Sequence, residues 1–123
     1  MHAKRHAVVA TTDKDGAATV YTGGPVNGRL ISIRYVKTDF EDGVIFVVTG
    51  EETGLALWSQ AAVNDSVTVC PRQPTCDSAG AASLYAANGE PVEDYMILAD
   101  ERVKIVVSSG GNIKTGMFHI TMG

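Results

Sequence analysis

Gly28-Arg29-Leu30-Ile31-Ser32-Ile33-Arg34-Tyr35-Val36-Lys37, the turn Thr38-Asp39-Phe40-Glu41-Asp42-Gly43, and then Val44-Ile45-Phe46-Val47-Val48-Thr49 form the stretch that decides the fold class. Ile31, Ile33 and Tyr35 alternate with Ser32 and Arg34, the period of two that marks a strand with one buried face. The run from Val44 is apolar almost throughout and rich in β-branched residues, as expected of a strand covered on both faces. Between them Asp42-Gly43 has turn chemistry, since glycine accepts a positive φ and aspartate can bond its own backbone. The expectation is a hairpin whose strands lie in the middle of a β-sandwich.

Working outward, the same alternation recurs in short runs. His6 to Ala10 reads as a first strand after a basic N-terminal arm of residues 1–6 that contains Lys4 and Arg5. Ala17 to Thr22 reads as a second strand, and Gly23 to Gly28 as a loop that Pro25 keeps out of any ladder. Leu55 to Ser59 alternates around the single tryptophan, Trp58. Residues 59–64 have the composition of one helical turn. Val67 to Arg72 is a further strand, stopped by Pro71 and Pro74.

Val103, Ile105 and Val107 alternate with Lys104, and Phe118, Ile120 and Met122 alternate with His119 and Thr121. These two runs are expected to pair as a hairpin around Gly110-Gly111-Asn112. Thr75 to Pro91 is the longest candidate loop, rich in small residues, with Leu84 and Tyr85 its larger anchors. The fold class is therefore all-β: a single domain over 7–123, a sandwich or jelly roll of about eight short strands.

With 123 residues, 45% of them hydrophobic and 20% charged, the chain can close a core without metal or disulfide support. A net charge of −4 argues against a protein that tracks phosphates along a nucleic acid. No apolar run reaches a membrane span or a signal-peptide core, so folding in a reducing cytoplasm and no membrane partner are expected. Cys70 and Cys76 read as two free thiols or as a short-loop disulfide; their spacing and isolation do not suit zinc.

Catalytic signatures are missing: there is no phosphate loop of the Walker type, nucleophile elbow, zinc-protease helix motif or EF-hand loop. Asp39, Glu41 and Asp42 cluster in the central turn without the ligand spacing of a calcium loop. Glu93 and Asp94 are adjacent and so face opposite ways on a strand. His119 reads as an outward or hydrogen-bonded histidine. The reading is a non-enzyme without catalytic residue, metal or cofactor; a small jelly-roll enzyme would need a His/Glu cluster.

Several segments in their order carry a resemblance: Val26-Asn27-Gly28-Arg29-Leu30 into Ile33-Arg34-Tyr35, Asp42-Gly43-Val44, and Val48-Thr49-Gly50-Glu51. Trp58, Cys70-Pro71-Arg72, and Glu101-Arg102-Val103-Lys104-Ile105 into Ser109-Gly110-Gly111-Asn112 continue it. From about Ala17 to the C-terminus the chain resembles small virion structural proteins of tailed bacteriophages encoded near the major capsid protein. That resemblance implies a capsid decoration (cement) protein on the virion surface. Its partners would be the major capsid protein and itself, as a dimer or trimer. A tail- or fibre-associated module binding a carbohydrate or host receptor is the alternative. Candidate interface residues are Lys4, Arg5, Trp58, Arg72, Leu84 and Tyr85, from the arm, the tryptophan, the Cys70-Pro71-Arg72 segment and the long loop.

Overall fold

A computed structural model describes residues 3–74, 78–81 and 93–123. Ten strands run through them: β1 (Lys4–Thr11), β2 (Ala18–Tyr21), β3 (Val26–Val36), β4 (Val44–Gly50), β5 (Ala56–Val63), β6 (Val67–Val69), β7 (Arg72–Pro74), β8 (Glu93–Glu101), β9 (Val103–Ser108) and β10 (Thr115–Met122). One sheet has the order β1-β10-β3-β8-β7, with β6 also paired to β3; the facing sheet has the order β2-β9-β4-β5. All pairings are antiparallel. Without β6 and β7, the orders 1-10-3-8 and 2-9-4-5 are the two interleaved sheets of an eight-stranded jelly roll. The all-β sandwich expected from the alternation is what the chain forms, with two additional short strands.

Two expected hairpins are absent. β3 lies in the first sheet beside β10, β8 and β6, whereas β4 lies in the second between β9 and β5. Likewise β9 pairs with β2 and β4, and β10 with β1 and β3. Both turns cross from one sheet to the other, a step of roughly 10 Å that a six-residue segment such as 38–43 spans easily. Alternation reports which face of a strand is buried, and an arch over the core satisfies it as well as a hairpin does.

The core is formed where the inner faces meet. Leu30, Ile33, Tyr35, Phe118 and Ile120 from one sheet face Val44, Phe46, Val48, Ile105 and Val107 from the other, all fully buried. Phe46 is the hub of its rings, with centroids 4.6 Å from Tyr35, 4.9 Å from Phe118 edge-on, and 5.6 Å from Trp58. Phe40, in the 38–43 crossing, closes the end of this cluster; its ring lies over Gly116, where any Cβ would fall 2.5 Å from it. β4 is buried on one face only, since Val47 is 39% exposed. That corrects the expectation of a strand covered on both sides: its apolar outer positions face solvent.

Other local expectations change as well. β1 begins at Lys4 opposite Met122, so Lys4, Arg5 and His6 belong to the sheet and not to a free arm. β5 runs on to Val63 with no helical turn; two register shifts against β4 absorb the extra residues, and Ala62 takes φ 56°. The ladder overrides the modest helical preference of Gln60-Ala61-Ala62. The strand expected at 67–72 breaks into β6 and β7, and Pro74 is accommodated because β7 is an edge. In β3, Ile31 falls at a bulge against β10, which returns Leu30 to the core.

Tyr35 supplies a pH prediction. Its ring is fully buried and its hydroxyl has no partner among the described residues. Burial first, then the Asp39 and Asp42 carboxylates, push its pKa up to about 12. The unfolded phenol ionises near 10, so stability is fully present below about pH 10 and is lost as pH rises toward 12. Tyr35→Phe is expected to match or exceed the parent at neutral pH, because it removes an unpaired buried hydroxyl. The variant's advantage should widen between pH 10 and 12 in denaturant midpoints; a constant difference would disprove the assignment.

Candidate interaction surface

The site residues expected from sequence do not converge. Leu84 and Tyr85 lie outside the described residues, as do Cys76 and most of the expected 75–91 loop; Cys70 is an exposed thiol. Trp58 is half-buried against the core on the inner side of β5, its ring against Phe46, so it is framework. Lys4 lies at the end of β1 and lines a pocket of about 260 Å³ with His6, Pro25, Val26, Asn27, Met122 and Gly123. That volume is below the range usual for small-molecule sites. His6 titrates below its ordinary value through burial and the neighbouring Lys4. Arg5 and Arg72 do share a surface: the outer face of the first sheet.

That face follows from strand parity and register. Ile33 and Tyr35 point inward, so Arg34 points out; it lies opposite His119, which lies opposite Ala7. In the next row Arg5, Thr121 and Ser32 are neighbours. Arg34 donates to Thr68 Oγ1 on β6 at 2.7 Å. Farther along β3, Arg29 pairs opposite the exposed Ile97, and Arg72 opposite Tyr95. Both guanidinium groups lie over the Tyr95 ring, at 5.1 and 4.2 Å from its centroid. Arg72 also donates to the carbonyls of Pro71 and Ile31, which fixes its fork in place. His119 has its Nδ1 buried with no partner among the described residues.

Charge is distributed unevenly over the fold. β1, β3, β6, β7 and β10 carry Lys4, Arg5, Arg29, Arg34 and Arg72 and no aspartate or glutamate. Among the described strands of this sheet the carboxylates are confined to β8, where Glu93, Asp94 and Asp100 are exposed and Glu101 is buried. Glu51, Glu52, Asp100 and Glu101 lie at one end of the sandwich, and Asp13, Asp15, Asp39, Glu41, Asp42 and Asp65 at the other. The turns at this second end are tied together by Glu41 N–H to Gly110 O and Gly110 N–H to Gly16 O, both 3.0 Å.

Several acids of that end are committed locally. Asp13 Oδ1 accepts from the amides of Asp15 and Ala17, and Asp39 Oδ1 from Thr115. Asp42 pairs with Lys37 at 2.5 Å. No group of three or more metal-binding side chains is assembled among the described residues.

Beside the second sheet the arginine is paired. Arg102 stacks on Tyr21 at 4.3 Å and forks onto Glu51 at 2.5 and 2.6 Å. Through that fork Glu51 titrates below its ordinary value. By contrast, Arg5, Arg29, Arg34 and Arg72 have no ion pair with a described residue. Sequence reasoning missed Arg29, Arg34 and Tyr95. Arg34 was legible as an outward residue, but its convergence with Arg5 and Arg72 depends on strand order. Comparison of the chain with family models, curated proteins and solved structures finds no match.

Proposed function

We propose that the chain is a virion structural protein that decorates an assembled capsid lattice and stabilises the head. The observation that carries this reading is the pairing of a side-chain-filled jelly roll with chemically unequal outer faces. One face is rich in arginine without an ion pair among the described residues and in exposed apolar groups; on the other, Arg102 is paired with Glu51. Such a body is suited to lie on another protein surface, and the resemblance noted above points to which one. A protein that binds the assembled lattice and not free subunits stabilises the lattice by mass action. Homo-oligomerisation belongs to the same proposal, because a repeated lattice presents symmetric groups of sites.

The test is addition of purified protein to heads lacking it, from the phage whose genome encodes it. Expected are saturable co-sedimentation at a fixed ratio to the capsid protein and higher resistance of the heads to heat. Protein that stays in the supernatant at every concentration would overturn the proposal. Because Lys4 to His6 are ladder residues, removal of residues 1–6 would strip three register pairs from β1, so it is not a clean test of an arm.

The carbohydrate-binding alternative gains little from the surface. Tyr21 is the only described aromatic residue counted among the exposed large hydrophobics, and Arg102 covers it.

A further inference from the structure

The geometry points to the outer face of the first sheet as the docking surface, and to an acidic protein surface as its partner. This rests on the decoration reading for the partner's setting, but not for its chemistry. Four arginines, Arg5, Arg29, Arg34 and Arg72, stand on that face, and among the described strands of its sheet the exposed carboxylates are confined to β8, at Glu93, Asp94 and Asp100, in a chain of net charge −4. Lysines do not stand beside them: Lys4 has the parity of the inner face, and Lys104 lies on the other sheet. Arginine presents a planar fork that matches carboxylates in pairs and loses less hydration than an ammonium on burial. Two of these forks are already held on the Tyr95 ring, which lowers the entropy lost when they engage a partner.

Apolar side chains complete the patch. Val9 and Ile97 are each 54% exposed there. Arginine, tyrosine and aliphatic groups without lysine form the composition of a protein–protein contact, not of a phosphate-tracking groove.

Arg5→Glu with Arg34→Glu tests this, since both side chains are exposed and leave the core untouched. Lys14→Glu with Lys104→Glu makes the same change in net charge elsewhere on the molecule. The probes are immobilised poly-L-glutamate, duplex DNA of equal charge and purified heads. Expected is retention on polyglutamate that weakens with salt and falls at least about tenfold in the arginine pair only. Equal retention of both variants, or tighter binding to DNA than to polyglutamate, would overturn the inference. With heads, binding by the unaltered chain but not by the arginine pair supports it. Equal occupancy by both overturns it and leaves the decoration reading standing. If heads take up neither protein, the decoration reading falls, and the polyglutamate result decides the face.

Discussion

Phe46→Ala is expected to destabilise the domain by about 4 kcal/mol, within the range for removing a buried aromatic ring from a core. The ring is fully buried and among the described residues is the only one that touches Tyr35, Phe40, Trp58 and Phe118 together, and so joins both sheets and the 38–43 crossing. Its loss leaves a cavity that four rigid rings cannot close by small shifts, so both the transfer and the cavity contributions should be near their upper values. For a chain of this length the melting temperature should fall by roughly 10–20 °C. Val47→Ala, one residue along the same strand but facing solvent, should change stability by less than about 1 kcal/mol. Urea denaturation of both variants measures the contrast. A Phe46→Ala loss below about 1.5 kcal/mol would mean that the rings are not the mechanical centre of the sandwich.

The contrast between Phe46 and Val47 also shows how far the sequence could be read. Strict alternation at 103–107 and 117–122 named the buried side chains correctly, because a pleated strand with one dry face leaves no other pattern. It could not name the neighbours. In a jelly roll successive strands change sheets, and an arch leaves the same alternation as a hairpin. The Val44 to Val48 run misled for a related reason. Ile45 and Val47 are apolar but stand on the outer face, where β-branched residues are favoured by the pleat itself and not by burial. At Leu57-Trp58 a bulge turns both residues toward the core, and no local signal marks a bulge that the partner strand imposes.

The candidate surface was legible in parts and not as a whole. In the sequence Arg5 is a terminal basic residue and Arg72 part of a Pro-Arg motif, two separate features. They face the same way only because β10 and β3 are inserted between β1 and the β8–β7 edge. Positions 5, 34 and 72 are far apart in the chain, so the charge of a sheet face is a sum over strand order and not over any window of sequence. The acidic turns, by contrast, were partly visible, because turns concentrate aspartate for conformational reasons whether or not the charge is used.

Glu101 carries the other large expected effect. It is 4% exposed at the end of β8, where the chain passes through Arg102 into the opposite sheet. Its Oε1 accepts from the amides of Glu52 and Thr53 at 3.2 and 3.1 Å, and the Thr53 hydroxyl bridges both carboxylate oxygens at 3.1 and 3.0 Å. The crossing is thereby fastened to the β4–β5 turn. Gly50 makes the space, since a Cβ there would lie within 2.3 Å of Glu101 Oε1. Glu101→Ala should cost about 2–3 kcal/mol, because two turn amides and a hydroxyl lose a charged acceptor. Gly50→Ala should cost a similar amount by expelling the same carboxylate. Once Glu101 is alanine, however, the methyl group at position 50 has no carboxylate to displace and next meets Thr53 Oγ1, at 3.1 Å. The double variant should therefore be little worse than either single one, with a coupling energy of at least ~1 kcal/mol in a denaturation cycle. Strict additivity would show that Gly50 is required by the backbone of β4 and not by the carboxylate, and the fastening of the two sheets at this crossing would need another origin.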